Sequence, residues 1–433
     1  MTADSSPSID SPAGQAAPDA QAITEAFIYL LGRVLIIRQE RADLKKAWGA
    51  FNAVKYNPLG SADFVNPDFD VAYLEAWIAV DDQTPALLEV PKITGRYYTA
   101  QILDEWGEVI VNINERTFPS KPYGRFALVA PGSNPPIPDG AGRIVLHSNK
   151  AKMLARVELK GDPAGAVELQ KRFTLVSLGK PAIAPAPAVP DFSNDDLIGA
   201  EIFDNVDARL SSALDVAPNA AGMQQKVRAV AAHVMSGDRA RAAVDTLLRT
   251  KVIPEFQEYV FRKSAPYRNS WVGAGETGNY GKDYRMRTTV NLAGIWANTT
   301  DEVICFAATH DAEGKPLNGS NSYVIHSPPD QLPGSVVNAY WSVSLVGVPD
   351  YRVVPNPLNR FNLNSHSLFK SEHDGSLKIA IGPTAVIGVA ESNWLPAPEG
   401  KPFSLTFRTC VPKEVVKRGW APPAIAAVKR MAV

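Results

Sequence analysis

Several features that mark common functional classes are scarce or missing in this chain. Only two cysteines, Cys305 and Cys410, occur among 433 residues. They cannot build a disulfide framework or a paired Cys-x-x-Cys zinc motif, although a single bridge between them stays open on sequence alone. Cys305 sits in Val303-Ile304-Cys305-Phe306-Ala307-Ala308 and reads as a small apolar core residue. An excess of one charge is also lacking. The net charge is −1, which leaves no electrostatic footprint for a polyanion, so no nucleic-acid partner is expected. Long apolar runs are missing too. Phe27 to Ile37 is apolar but contains Arg33 and falls well short of the roughly twenty residues that span a bilayer, so no membrane partner is expected. The Ser-, Pro- and Ala-rich start lacks a basic stretch leading into an apolar one. It reads as a disordered tail over 1–18 rather than a secretory signal, and the expectation is a soluble, cytoplasmic protein.

Catalytic motifs with a fixed spelling are missing as well. Neither His-Glu-x-x-His nor a Gly-x-Ser-x-Gly elbow occurs. Four histidines, His310, His326, His366 and His373, lie in the C-terminal region, too scattered to imply a metal site. Gly273-Ala274-Gly275-Glu276-Thr277-Gly278 spells the dinucleotide fingerprint. It follows Ser264 to Asn269 and precedes Asn279-Tyr280-Gly281, where a true fingerprint joins a strand to a helix, so it reads as a tight structural loop. No cofactor is expected.

The patterns that are present define a layout. Ile23, Phe27, Leu30, Leu31, Val34 and Leu35 recur at helical spacing within 19–49, with Asp19 as the cap and a charged face continuing through Glu40 to Lys46. Over 60–160, short runs rich in branched and aromatic residues alternate with turn signals such as Pro131-Gly132-Ser133-Asn134 and Asp139-Gly140. Residues 179–192 are a Pro/Ala linker. Residues 193–265 return to helical periodicity as a connector, and β character resumes over 266–433. There, Leu377, Ile379 and Ile381 follow the Asp374-Gly375 turn. Phe403, Leu405 and Phe407 alternate with Ser404, Thr406 and Arg408, and a short helix follows Val411-Pro412. Thr288 to Trp296 fits either a strand or a helix. The predicted fold is mainly β with helical segments: two antiparallel β-sandwich or jelly-roll-like domains joined by a helical region.

These blocks resemble a bacterial combination of two domain-of-unknown-function families, 1254 at the N-terminal side and 1214 at the C-terminal side. The C-terminal likeness rests on Gly278 to Tyr284 with Arg287, Gly314 to Tyr323 with His326, Tyr340-Trp341-Ser342-Val343, Asn359-Arg360-Phe361, Asn393 to Pro398 and Gly419 to Pro423. The N-terminal likeness rests on Gly95-Arg96-Tyr97-Tyr98 with Gln101 and Asp104, and on Asp70 and Tyr73. The resemblance implies mostly β members with helices between the sheets, and no general activity.

The candidate chemistry therefore comes from the residues. Asp68 and Asp70 lie two apart and share a face if extended, so they could share a proton or hold a cation. Arg96 and Tyr98 share a face of one strand. Aromatic rings beside an arginine and an acid suit a polar organic or sugar-like ligand, and equally suit a buried ion pair. Tyr340-Trp341, Trp394 and Trp420 read as core and corner aromatics. The expected function is binding, with hydrolysis or elimination, of a small polar organic or sugar-like molecule in an inter-domain cleft. Asp70 is the expected acid or base and Arg96 the cation that steadies an anion; Tyr73, Tyr98, Asp104, Tyr284 and Arg287 are the expected ligand contacts. The alternative is a non-enzymatic structural or assembly protein built on paired sandwiches, and a homo-oligomer fits either reading.

Overall fold

In the computed structural model, residues 17–60, 66–273 and 275–428 are described. Of the tail expected over 1–18, all but Ala17 and Pro18 lie outside them, as does Ala274 of the glycine-rich loop. The long first helix, α1 (Ala20–Leu44), starts where Asp19 caps it by accepting the Ala22 amide at 2.7 Å. Its apolar residues are distributed around the axis, and a helix of that kind is stable only when covered on all sides. By length and composition alone α1 could cross a membrane, yet most of it is buried inside the protein. The helix stops five residues before the expected end. The charged run predicted to be solvated is partly core, because Glu40 and Asp43 are both buried.

The first domain is a sandwich of two four- and five-stranded sheets. One sheet orders β1 (Lys55–Tyr56), β2 (Val71–Ala79), β8 (Lys150–Glu158), β4 (Tyr98–Leu103) and β5 (Val109–Ile113). The other orders β7 (Gly142–Val145), β6 (Gly124–Val129), β3 (Ala86–Val90) and β9 (Thr174–Ser177). Along β2, Ala72, Leu74, Ala76 and Ile78 point into the space between the sheets. So do Ala151, Met153, Ala155 and Val157 of β8. Their alternates, Tyr73, Glu75 and Trp77 with Lys152, Leu154 and Arg156, face outward, yet every residue of β2 is buried. Something must therefore cover the outer face, and two elements do.

The helix α1 covers one end. There, Lys152 Nζ lies 2.7 Å from Glu75 and 3.2 Å from Asp43, while Lys150 reaches Glu40 at 2.7 Å. Arg33 donates to the Glu105 carboxylate at 3.1 Å, and Trp77 Nε1 donates to Asp43 at 3.0 Å. Burial alone would raise the Glu75 carboxyl, but Lys152 and Lys55 outweigh it and hold it down at about 2. On its other side α1 packs on the helical region, which contains α3 (Val206–Ser211), α4 (Ala220–Val234), α5 (Asp238–Leu247) and α6 (Ile253–Arg262). It also packs on α7 (Tyr284–Ala293), which settles the strand-or-helix ambiguity at Thr288. Asp283 caps α7 through the Met286 amide. The two helices meet closely at Gly32, where a Cβ would stand 2.5 Å from Thr288 Oγ1.

The second domain covers the other end. Its larger sheet orders β10 (Tyr267–Arg268), β11 (Trp271–Gly273), β12 (Val303–Ala308), β18 (Phe403–Cys410), β14 (Trp341–Gly347) and β15 (Asn362–Asn364). The smaller orders β17 (Trp394–Pro396), β16 (Leu377–Gly382), β13 (Tyr323–Ser327) and β19 (Ile425–Ala427). Trp341, Phe407 and Ile304 fill the space between them with Ile325, Ile379 and Leu395. Trp341 stacks on Phe407 at 5.5 Å, and Trp420 meets the same ring at 6.0 Å. Trp394, expected to be a buried corner, sits half-buried on the outermost strand and donates to the Gly382 carbonyl at 2.9 Å. The outer face of the larger sheet, with Cys305, Thr406 and Arg408, is turned toward the first domain.

The buried lysine is the simplest test of this packing. Lys152→Met should lower stability by about 3–5 kcal/mol, because it strands two carboxylates in the interior. A urea midpoint equal to that of the wild type would show that Asp43 and Glu75 do not depend on it.

Candidate functional site

Where the outer faces of the two sandwiches meet, they leave a cavity of about 580 Å³. Its first wall comes from β2, β8 and the loop before β4: Tyr73, Leu154, Arg156 and Tyr97. Its second wall is the polar face of β12 and β18, which presents Cys305, Ala307, Thr406, Arg408 and Cys410. Met286 and Val290 of α7, with Trp296 beyond its end, close a third side. The glycine-rich loop leaves β11 at Gly273 and borders the cavity with Gly275 and Thr277, so it follows a strand, contrary to the sequence reading.

The connection into β2 crosses from one domain to the other and carries the acids. Asp68 accepts the Asp70 amide at 2.9 Å and the Tyr340 hydroxyl at 2.9 Å. Asp70 accepts from the side-chain amides of Asn362 and Asn364 on β15, and Ser342 and Asp68 lie against the same carboxyl. Burial, reinforced by the Asp68 carboxylate, pushes Asp70 up to about 8. Two close carboxyls that cannot both ionise share a proton. Arg408 donates to the Asn66 and Pro67 carbonyls at 2.7 and 3.1 Å and to Ser344 at 2.6 Å, so it holds the backbone that presents Asp68. Arg156 donates to Gln101 at 2.6 Å and lies 5.5 Å from the Tyr73 ring. Nearby, His366 reaches Glu158 at 2.8 Å, and Glu158 accepts the Tyr97 amide at 2.7 Å.

The two cysteines are free. Cys305 stands opposite Arg408, and Cys410 opposite Val303, so they occupy neighbouring rather than facing positions. Cys305 is not a core residue as expected. It sits on the outward side of its strand and opens onto the cavity. Burial raises the Cys410 thiol, and the protein packed around the cavity raises that of Cys305, although its side chain is exposed to the cavity. Among the described residues no group of His, Cys, Asp or Glu is arranged to hold a metal.

Comparison with known proteins places this arrangement. Residues 48–177 match the protein family of unknown function DUF1254, and residues 302–414 match the protein family of unknown function DUF1214. The chain carries a DUF1254 domain followed by a DUF1214 domain. The resemblance blocks at Gly278 to Tyr284 and Gly419 to Pro423 lie outside the matched residues. A crystal structure of the VPA0106 protein from Vibrio parahaemolyticus is similar over 95% of this chain and 100% of its own, at 18% identity and a TM-score of 0.65. An uncharacterised protein from Burkholderia cenocepacia covers 95% of this chain and 93% of its own at 13% identity, with a TM-score of 0.48. No curated protein matches. The cavity is shared between the two families: Asp68, Tyr73, Tyr97 and Arg156 come from the DUF1254 part, and Cys305, Tyr340 and Arg408 from the DUF1214 part.

The seven residues singled out in the sequence do not meet in one place. Tyr73 lines the cavity, and Asp70 sits directly behind Asp68. Arg96 does not reach them. It precedes the first residue of β4 by two, so its side chain leaves the sheet and pairs with Asp162 at 2.9 Å. Tyr98 points into the first sandwich core and donates to the Pro122 carbonyl at 3.0 Å. Asp104 accepts the Trp106 and Glu108 amides, both at 2.9 Å, and faces His147 at 2.7 Å, which shapes a turn. Tyr284 meets Tyr29 edge-on at 5.9 Å among the helices. Arg287 is buried against Asp215 at 2.8 Å and Glu108 at 3.3 Å. Tyr340 was read as a core or corner aromatic, and Arg156 and Arg408 were missed. Their signal is the polar alternation Lys150-Lys152-Leu154-Arg156 and Ser404-Thr406-Arg408, which reads as a solvated face until another domain covers it.

The raised Asp70 has a measurable consequence. The folded protein holds that proton up to about pH 8, whereas the unfolded chain releases it near the ordinary carboxylate value. The folded state therefore binds more protons in between, and stability falls as pH rises through that window. Relative to Asp70→Asn, the wild type should lose stability steadily from acid toward pH 8. Parallel stability curves for the two proteins would show that Asp70 ionises normally.

Proposed function

We propose that this DUF1254–DUF1214 protein binds a small organic molecule in the inter-sandwich cavity and performs acid–base chemistry, hydrolysis or elimination, on it. The observation that carries the reading is the meeting of a carboxyl pair, Asp70 buried and Asp68 half-buried, with a cavity of about 580 Å³ between the sandwiches, a volume within the usual range for small-molecule sites. Asp68 is the member of the pair that lines the cavity. It acts as the base that takes a proton from the ligand or from an attacking water. Asp70, behind it, holds the shared proton, and Tyr340, bonded to Asp68 and also lining the cavity, orients the carboxylate. Asn362 and Asn364 fix Asp70, so the second domain completes an acid pair that the first domain supplies. The walls mix apolar side chains with a few convergent polar groups, which favours an organic molecule with an apolar body over a sugar. A concave pocket between the sandwiches, rather than a flat apolar face, is what favours binding over the assembly role.

A thermal-shift screen of small organic molecules on the intact protein tests the binding. A ligand at a hundred times its Kd should add about 2.7 kcal/mol. Ala307 faces the cavity, so Ala307→Phe should fill it and remove the shift while the protein stays folded. Ligand shifts that survive this substitution would place binding elsewhere. For a molecule that is turned over, Asp68→Asn should cut kcat by about 10²–10⁴ without weakening its binding. Unchanged turnover would remove Asp68 from the chemistry.

A further inference from the structure

The other deeply buried cations in the protein show how this fold treats interior charge. Arg33, Lys150, Lys152 and Arg287 each lie within 3.3 Å of a carboxylate. Arg408, which is buried, and Arg156, which is half-buried, break that pattern. Among the described residues, neither has a carboxylate within ion-pair distance. Arg408 is satisfied by two carbonyls and a hydroxyl, and Arg156 by Gln101 and the Leu154 and Trp296 carbonyls. Arg209 is likewise held by carbonyls, but it does not line the cavity, whereas Arg156 and Arg408 both do. Neutral partners satisfy the N–H groups of a guanidinium and leave its charge uncompensated, which is costly away from water. Both guanidiniums border the one cavity from opposite walls, Arg408 across the ladder from Cys305 and Arg156 at 5.5 Å from the Tyr73 ring.

We infer that the natural ligand is an organic anion, a carboxylate on a mainly apolar body, with its head drawn to Arg156 and Arg408. This deepens the function proposed above and rests on it. The lining favours a negative ligand: Arg156, Arg262 and Arg408 all border the cavity, and Asp68 is the one carboxyl among the described lining residues. Neutral thiols at Cys305 and Cys410 leave the balance unchanged. The planar fork of arginine matches a carboxylate in geometry as well as charge. The rest of the cavity is built for the body of such a molecule. Leu154, Met286, Val290, Trp296 and Val303 offer apolar surface, and burying a chain or ring against it supplies the non-directional part of the affinity.

Matched probes separate head from body. Hexanoate, octanoate and phenylbutyrate are compared with their own amides and amines by calorimetric titration of the intact protein at neutral pH. The acids should bind at least about tenfold more tightly than the amides, the effect of one charge-assisted contact, and the amines should bind least. Arg156→Met should weaken the acids by about tenfold or more while leaving the amides unchanged, and Arg156→Lys should recover part of the loss. Amides or amines that bind as tightly as the acids, with binding abolished by Ala307→Phe, would overturn the anion inference and leave the cavity function standing. Binding by no member of the series, or binding untouched by Ala307→Phe, would overturn both.

Discussion

A charge taken out of water must find a partner, and the architecture of this protein follows from meeting that condition across two buried polar sheet faces. A sandwich normally turns one face of each sheet to its core and the other to solvent. Here the outer face of the β2–β8 sheet is polar and yet buried. The helix α1 brings Arg33, Glu40 and Asp43 down onto it, so that Lys150, Lys152 and Glu105 are neutralised in place. Such pairs contribute little net stability over apolar packing of the same volume, but breaking one is expensive. They therefore specify how α1 lies on the sheet.

The same rule explains the other end of that sheet. The second sandwich covers it with its own polar face, and the join is made by single residues reaching across. Asn362 and Asn364 hold Asp70, Tyr340 holds Asp68, and Arg408 holds the backbone of Asn66 and Pro67. The two faces do not close completely, and the remaining space is the cavity. Its guanidiniums Arg156 and Arg408, like Arg209 among the helices, have no carboxylate within ion-pair distance among the described residues. The unmet charge and the proton-bearing acid pair are thus two results of one packing arrangement.

Much of the fold was legible in the chain. Alternation in Leu377-Ile379-Ile381 and Phe403-Leu405-Phe407 marked real strands, the helical spacing from Ile23 to Leu35 marked α1, and the division into two β domains with a helical connector followed from the order of such blocks. These signals are local, since each depends on residues two to four apart in sequence. The Asp68–Asp70 pair was visible for the same reason: two residues apart, they remain neighbours wherever the segment is placed.

The rest was decided by which surfaces cover one another. Period-two alternation shows that a strand has two different faces, but it does not show whether water or another domain meets the polar one. Arg96, placed among aromatics, became a loop clamp because it falls just outside its strand, while Arg156 and Arg408, placed like solvated residues, line the cavity. Asp70 finds its amide partners nearly three hundred positions away. The sequence by itself determined the elements, their order and the spacing of the acids, because those are set by short-range backbone geometry and side-chain periodicity. Only the tertiary structure decided which charges are paired and which are left facing the cavity, because burial and pairing depend on contacts between segments that the chain order keeps far apart.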